Sequence, residues 1–299
     1  MASTKIEWAD AVWNPITGCT PVSEACENCY AKRMANRLAG RYGYPADDPF
    51  RVTFHRERLE DPLKWKKPRR IFVLSMGDIF HSDVPFYLTN EIFEVMRKAS
   101  NMPGHIFMVL TKRPQRMAEF IELLKRNKGP DFVRWPLPNV WLGVTAENQA
   151  RADERIHQLL QIPAAVRFVS IEPMLGPVDL REFLKLEICP RCIGGIKTRQ
   201  AEGWPRCNRC GFQGASMSSL WPEHASVHQR WVICGGETGP GARPMHPDWV
   251  RSLRDQCQAA VVPFFFKGWG KWTQNPSAAG KRILDGRECN ELPQRYGVV

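Results

Sequence analysis

Residues 70–81 read RIFVLSMGDIFH, an apolar run of buried-strand type that ends in Gly77, Asp78 and His81. From Leu88 to Ala99 the apolar residues then recur at helical spacing. Continuous apolar strands followed by amphipathic helices are typical of parallel sheets that helices cover. The stretch therefore predicts one strand–helix unit with polar residues at the carboxyl end of its strand.

The same unit recurs along the chain. Six further strands are predicted, at 8–17, 105–112, 139–145, 166–172, 231–236 and 262–267. Seven such strands predict an α/β fold, specifically a partial (βα) TIM-type barrel, in which chemistry gathers at the carboxyl ends of the strands. The polar residues in that position are the predicted site residues: Asp78, Lys112, Arg113, Glu147, Asn148, Glu172, Glu237 and Lys267.

The first predicted strand leads into GCTPVSEACENCY, residues 18–30, which carries Cys19, Cys26 and Cys29. Iron–sulfur clusters normally take four thiolates and structural zinc is likewise closed by four protein ligands, so three ligands predict an open, reactive site. A structural zinc ion with a distant fourth ligand is the alternative. A helix is predicted from Cys26 to about Arg41, and its N-terminal amides would favour an anionic, thiolate-bound cluster.

Residues 182–229 interrupt the strand–helix alternation with two pairs of cysteines. The pattern is Cys189-x2-Cys192, fourteen residues, then Cys207-x2-Cys210. This spacing predicts a closed, structural zinc ribbon with four cysteine ligands, and an auxiliary iron–sulfur cluster is the alternative. Basic and aromatic residues around the cysteines suit phosphate contacts and base stacking. The predicted organisation is a barrel at 1–181 and 230–273, this insert, and a C-terminal tail at 274–299.

Composition limits the partners and the compartment. The 299 residues include 42 Lys and Arg against 31 Asp and Glu, a net charge of +11, which favours a polyanionic partner such as nucleic acid. No run of about 18 apolar residues is present, so no membrane span is predicted. No secretory signal is recognisable at the N-terminus, so a cytoplasmic location is expected. In that compartment the ten cysteines are more typical of metal ligands and free thiols than of disulfides.

Several motifs together resemble one known family. They are found at residues 6–30, 72–85 (FVLSMGDIFHSDVP), 109–117 (VLTKRPQRM), 139–149 (NVWLGVTAENQ), 171–180 (IEPMLGPVDL), 232–257 and 264–270 (FFFKGWG). The chain is thereby similar to the phage-associated three-cysteine-motif family, a branch that resembles the radical S-adenosylmethionine (radical SAM) enzymes. The likeness covers most of the chain outside the insert.

The resemblance implies a [4Fe–4S] cluster on Cys19, Cys26 and Cys29, with S-adenosylmethionine on the open iron. It implies cofactor contacts from Tyr30, Ser75, Asp78, Lys112 or Arg113, Glu147 and Asn148, and substrate chemistry at Glu172, Glu237 and Lys267. The implied activity is an isomerase of DNA hypermodification in bacteriophage, which rearranges an amino-acid-modified thymidine from a nitrogen-linked to a carbon-linked form. The partners are then DNA and a reductant such as flavodoxin or ferredoxin, in the host cell cytoplasm if the chain is phage-encoded. A non-enzymatic zinc or iron–sulfur protein that binds nucleic acid or assists DNA repair is the alternative.

The sequence departs from the usual radical SAM signature in two places. Six residues separate the first two cysteines where three are common, and Asn28 stands where an aromatic residue usually precedes the last cysteine, with Tyr30 one place later. A Gly-Gly-Glu turn usually follows the second strand, whereas here Ser75-Met76-Gly77-Asp78 holds that place. The literal Gly235-Gly236-Glu237 comes much later.

Overall fold

A computed structural model describes residues 4, 6–100, 104–126, 135–185, 197–198, 206–207, 229–271 and 281–293. Its centre is a curled, seven-stranded parallel sheet, a half-barrel. The strands follow one another across the sheet in chain order. They are β1 (Ala11–Trp13), β2 (Arg70–Val73), β3 (Ile106–Thr111), β4 (Val140–Thr145), β5 (Val166–Ile171), β6 (Gln229–Gly235) and β7 (Phe264–Gly268). The predicted α/β class and the parallel strands are confirmed.

Helices follow most of the strands and cover one face of the sheet. They are α1 (Tyr30–Arg37), α2 (Phe86–Lys98), α3 (Pro114–Arg126), α4 (Gln149–Gln161), α5 (Arg181–Lys185) and α6 (Pro247–Ala259). Within β3, Phe107 and Val109 join the helices in the main core, whereas Met108 points into a second cluster on the other face. This alternation is expected for a strand buried on both sides, because successive side chains point to opposite faces.

The second face is filled by large aromatic side chains. Trp8, Trp141 and Trp231 meet edge to face, with ring centroids 5.9 Å apart for Trp8–Trp231 and 6.1 Å for Trp141–Trp231. Gly143 is needed beside them, since a Cβ there would lie 2.5 Å from the ring of Phe168. The face away from the helices is thus filled by packed side chains and does not form an open channel. This leaves the strand ends as the place for chemistry.

Two predicted boundaries near the cysteines were wrong. The first strand was predicted over 8–17 but divides at the Asn14-Pro15 turn, and Ile16–Thr17 pairs antiparallel with Thr53–Phe54. The helix was predicted from Cys26, but Glu24–Cys26 forms a single 3₁₀ turn and α1 begins only at Tyr30, with Cys29 as its N-cap. The Cys26 amide donates to the Ser23 carbonyl at 2.9 Å, which closes the 3₁₀ turn. This turn ends before α1 begins.

The insert and the tail are described only in part. Lys197–Thr198 pairs antiparallel with Arg206–Cys207. The predicted zinc ligands Cys189, Cys192 and Cys210 and the side chain of Cys207 lie outside the described residues. In the tail, a two-stranded hairpin of Ile283–Leu284 and Arg287–Glu288 precedes Cys289, whose carbonyl accepts a hydrogen bond from the Phe266 amide at 2.7 Å. The described tail therefore packs along β7.

Candidate functional site

The cysteine loop, residues 18–30, leaves the carboxyl end of β1 and is held against the segment that follows β2. The Gly18 amide donates to the carbonyl of Met76 at 2.8 Å, and the Cys19 amide donates to that of Phe50 at 3.1 Å. Gly18 has φ +92°, and a Cβ at this position would lie 2.1 Å from the Arg51 carbonyl oxygen. Only glycine fits this backbone, so the position of Cys19 is fixed by its neighbour.

Three arginines from distant parts of the chain tie this loop to other strand ends. Arg113, after β3, donates from Nη2 to the Thr20 carbonyl at 2.9 Å. Arg151, in α4, donates from Nε to Glu24 Oε2 at 3.1 Å, and Arg243, after β6, donates from Nη2 to the Glu24 carbonyl at 2.9 Å. The loop is therefore anchored across the carboxyl edge of the sheet rather than free in solvent.

Asp78 and Arg113, two predicted site residues, form a buried ion pair directly beside Cys19. Arg113 Nη1 lies 3.2 Å from Asp78 Oδ2 and donates a hydrogen bond to Cys19 Sγ at 3.3 Å. Asp78 also accepts from the Thr111 hydroxyl at 2.9 Å and from the Lys112 amide at 3.3 Å. The guanidinium thus joins the cysteine loop to the carboxylate that follows β2.

A buried histidine supports the same corner. His81 Nε2 lies 2.8 Å from the Thr20 hydroxyl, and its Nδ1 accepts from the Asp83 amide at 3.1 Å. Because Nδ1 is an acceptor, the neutral ring carries its proton on Nε2 and donates to Thr20. Burial lowers the pKa of His81, and the nearby Arg113 cation lowers it further. This neutral tautomer is the form that the local hydrogen bonds require.

The three cysteines of the loop are free, partly exposed thiols. Cys19 and Cys29 pack against the same small apolar cluster, which contains Phe50 and Met76. Burial raises the pKa of Cys19, the Asp78 carboxylate and the Cys26 thiol raise it further, and the Arg113 cation acts in the opposite direction. In the described part of the chain, no three His, Cys, Asp or Glu side chains are arranged around one point as ligands of a single metal ion.

Glu172 and Lys267 meet across the end of β6. Lys267 Nζ donates to Glu172 Oε1, and both side chains are partly exposed. Burial acts to lower the pKa of Lys267, but the Glu172 carboxylate outweighs it and raises that pKa. Between them lies Gly235, where a Cβ would be 3.3 Å from Lys267 Cβ and 3.4 Å from Glu172 Cδ. A side chain at position 235 would therefore crowd both partners of the salt bridge.

Glu237 links the loop after β6 to the cysteine loop. Asn28 Nδ2 donates to Glu237 Oε2 at 3.0 Å, and Arg243 Nη2 donates to Oε1 at 2.6 Å. Burial opposes ionisation of Glu237, but the hydrogen bonds from Arg243 and Asn28 outweigh it and lower its pKa. Gly236 lets the chain before Glu237 pass close to the segment after β7, since a Cβ there would lie 2.2 Å from the Trp269 carbonyl oxygen.

Other predicted residues occupy supporting positions. Glu147 is fully buried beneath the edge, where its Oε2 accepts from Arg155 Nη1 at 3.0 Å and its Oε1 has no hydrogen-bond partner in the described structure. Asn148 caps α4 by accepting from the Arg151 amide at 3.0 Å. Ser75 exchanges hydrogen bonds with Asn14 at 3.2–3.3 Å. These contacts engage every one of the named polar groups except Glu147 Oε1, and none of them is made to a cysteine.

Sequence reasoning missed the residues that join the elements: Asn14, Thr20, Asn28, Arg151, Arg155 and Arg243. The motif at residues 232–257 does contain Arg243, which follows Gly235-Gly236-Glu237 by six residues. A conformationally permissive Gly-Pro-Gly between them was the available signal that the chain turns back there. Arg151 and Glu24 are 127 residues apart and share no local pattern.

Comparison with known proteins assigns the family. A family model described as "Protein of unknown function (DUF5131)" matches residues 3–293. The chain belongs to the DUF5131 family. The matched range runs across the residues of the half-barrel and of the four-cysteine insert. No curated protein and no solved structure matches the chain. Among the described residues, no helix has the length and apolar character needed to cross a membrane.

Proposed function

We propose that this DUF5131 chain is a cytoplasmic radical SAM enzyme that modifies a nucleobase in DNA. The observation that supports it most is an incomplete ligand set at the carboxyl edge of a half-barrel. Cys19, Cys26 and Cys29 lie on one anchored loop, remain free, and stay partly exposed. Thiolates are the preferred ligands of iron–sulfur clusters, so the donor chemistry fits a [4Fe–4S] cluster with one iron left for S-adenosylmethionine. When bound together, the cluster and S-adenosylmethionine would supply a 5′-deoxyadenosyl radical that abstracts hydrogen from the substrate.

The residues around the loop have defined tasks in this proposal. Arg113 keeps Cys19 and Thr20 next to Asp78, and its positive charge offsets the charge of a thiolate. Tyr30, the first residue of α1, is 55% exposed and available to a cofactor beside Cys29. Free amides at the start of α1 add partial positive charge on the side of the cysteines.

The substrate side of the proposal uses the salt bridge between Glu172 and Lys267. Its two opposite charges complement an amino acid attached to a base, because a carboxylate pairs with the lysine and an amine with the glutamate. The absence of a side chain at Gly235 lets the two charged side chains meet, since a Cβ there would crowd both of them. We propose on this basis an isomerase that rearranges an amino-acid-modified thymidine, with Glu237 holding the cysteine loop in place through Asn28. Flavodoxin or ferredoxin is the expected reductant.

The test uses anaerobically reconstituted full-length protein with a chemical reductant. We expect release of 5′-deoxyadenosine from S-adenosylmethionine, and a change in the nucleosides of phage DNA detected by mass spectrometry after digestion. Lys267→Met is expected to lose the nucleoside change while still cleaving S-adenosylmethionine. If cluster-loaded wild-type protein released no 5′-deoxyadenosine with modified DNA present, the enzyme would be excluded and the alternative of a structural metal in a nucleic-acid-binding protein would stand.

A further inference from the structure

The segment that directly follows the cysteine loop is basic along its whole length. Residues 30–46 contain four cations, Lys32, Arg33, Arg37 and Arg41, and no Asp or Glu. One side of α1 is buried through Ala35, whereas Lys32 and Arg37 are exposed. Among the ion pairs between described residues, none involves Lys32, Arg37 or Arg41. The exposed side of α1 therefore offers unneutralised positive charge beside the proposed active site.

An exposed tyrosine stands at the far end of the same segment. Tyr42 is 73% exposed and has φ +52°, a left-handed conformation that is uncommon for residues other than glycine. Gly40 and Gly43 flank it with φ +70° and +79°. Single exposed aromatics are normal on protein surfaces, but this one combines an unusual backbone with a neighbouring cation, Arg41, which donates to the Arg37 carbonyl and forms no ion pair with a described residue.

The loop holds this tyrosine in a fixed place. The Gly40 amide donates to the Tyr44 carbonyl at 3.0 Å, and the Tyr44 amide donates to the Arg41 carbonyl at 2.9 Å. Arg58 Nη2 donates to the carbonyl of Tyr42 from the opposite side. The ring of Tyr42 projects from a turn whose backbone is closed by hydrogen bonds, so little ordering is required when a ligand stacks on it.

We propose that α1 and the Gly40–Gly43 turn form the track on which a single-stranded segment of the nucleic-acid substrate lies. Lys32, Arg37 and Arg41 contact its phosphates, and Tyr42 stacks on an unpaired base. Eight residues of α1 extend about 12 Å, which is about three nucleotide steps of a stacked strand. Tyr30 stands at the end nearest the cysteines, so the track leads from the turn to the candidate site.

A single strand suits this surface better than an intact duplex. Stacking on an isolated exposed ring requires a base whose face is free, and enzymes that act on bases extrude the target nucleotide, which unstacks its neighbours. This inference rests on the proposed function for the identity of the substrate, but the binding it predicts is measured without cluster, S-adenosylmethionine or turnover.

The experiment measures anisotropy of a fluorescein-labelled 20-nucleotide oligothymidylate with the full-length protein at several salt concentrations. Tyr42→Asn keeps a residue that tolerates the left-handed backbone, and it is expected to weaken binding about 5- to 150-fold, the range for loss of one stacked base. Tyr42→Phe should bind like wild type. The double change Arg37→Gln with Arg41→Gln should reduce the slope of log affinity against log salt by about 1.4, since each lost phosphate contact is worth about 0.7 for single strands.

Matched controls make the result specific. Tyr87 is 65% exposed on α2, and Tyr87→Asn should bind like wild type. Lys66→Gln with Lys67→Gln removes the same charge just before β2, at the opposite end of that strand from the cysteine loop, and should leave both affinity and salt slope unchanged. Thermal unfolding of each variant checks that the fold is retained.

The proposal is overturned if Tyr42→Asn binds as wild type does, if the control variants weaken binding equally, or if duplex is bound more tightly than the single strand by the same residues. Unchanged oligonucleotide binding in Tyr42→Asn, together with normal release of 5′-deoxyadenosine by wild type, would overturn this inference and leave the proposed function standing. If Tyr42→Asn weakens binding as expected but the wild-type protein never cleaves S-adenosylmethionine, this inference stands and the proposed function is overturned.

Discussion

Breaking the ion pair between Arg113 and Asp78 should both destabilise the fold and change the reactivity of Cys19. The two charges are 3.2 Å apart, and their side chains are only 13% and 8% exposed. At an effective dielectric constant of about 20 the attraction is about 5 kcal/mol, part of which desolvation offsets. Arg113→Gln leaves a buried carboxylate without its cation, so a loss of about 3 kcal/mol is expected.

A double-mutant cycle isolates the interaction itself. Asp78 keeps its hydrogen bonds from Thr111, Phe80 and Lys112 when Arg113 is replaced, which limits the cost of Arg113→Gln. We therefore expect a coupling free energy of about 2 kcal/mol between Arg113→Gln and Asp78→Asn, typical of a hydrogen bond between charged groups. Urea unfolding at unchanged m-value provides the measurement. Additivity within about 0.5 kcal/mol would refute the argument, because uncoupled sites behave that way.

In metal-free, reduced protein, the same two variants should shift the pKa of the Cys19 thiol in opposite directions. Asp78 raises the pKa of Cys19 and Arg113 lowers it. Since the thiolate is the reactive form, alkylation near pH 8 should be faster in Asp78→Asn and slower in Arg113→Gln, followed by mass spectrometry of the labelled peptide. Fully buried Cys234 should stay unlabelled in the native protein and serves as the internal control. Equal rates in the two variants would contradict the geometry.

Three further changes test the supporting contacts. Arg243 lowers the pKa of Glu237, so the ionised carboxylate stabilises the fold above about pH 4.3, and this stabilisation is lost as the pH falls through the lowered pKa. Glu237→Gln should therefore cost about 2 kcal/mol at pH 7 and less at pH 3, measured by urea unfolding. Gly236→Ala should cost about 3 kcal/mol by overpacking, whereas Gly176→Ala, whose Cβ would be 3.7 Å from its nearest neighbour, should be close to neutral in the same assay; equal costs would contradict this. Glu147→Gln leaves the buried Arg155 without a counter-charge, although Arg155 still donates to the Thr145 carbonyl, and should lower the free energy of unfolding by about 3 kcal/mol; a loss below about 1 kcal/mol would refute the pairing.

The sheet was predictable because its signal is local. Each strand is a short apolar run, such as Ile106–Thr111, followed by a helix with apolar residues at helical spacing, and parallel topology then places every strand end at one edge. The apolar residues at helical spacing, Tyr30, Met34 and Leu38, begin where α1 begins, so the helix was placed too early at Cys26, within a separate 3₁₀ turn at Glu24–Cys26.

The candidate site was predictable in its members but not in their pairing. Strand-end position identified Asp78, Arg113, Glu172 and Lys267, yet nothing local indicates that the first two pair beside Cys19 while the last two pair across β6. Those pairings arise from the curl of the sheet and from contacts between residues up to 95 positions apart. Some arginines, such as Arg243, form hydrogen bonds between two loops that are distant in the sequence, and only the tertiary structure determines these contacts.

Whether the three-cysteine loop holds an iron–sulfur cluster is tested by the iron and sulfide content of anaerobically reconstituted protein, measured with its visible absorption. We expect a [4Fe–4S] spectrum in wild type, its loss in Cys26→Ala, and its retention in Cys210→Ala, which removes a ligand of the predicted structural zinc. Loss of iron that is equal in both variants, or a wild-type protein that takes up zinc and no iron–sulfur cluster at its three-cysteine loop, would rule out the proposed cluster site.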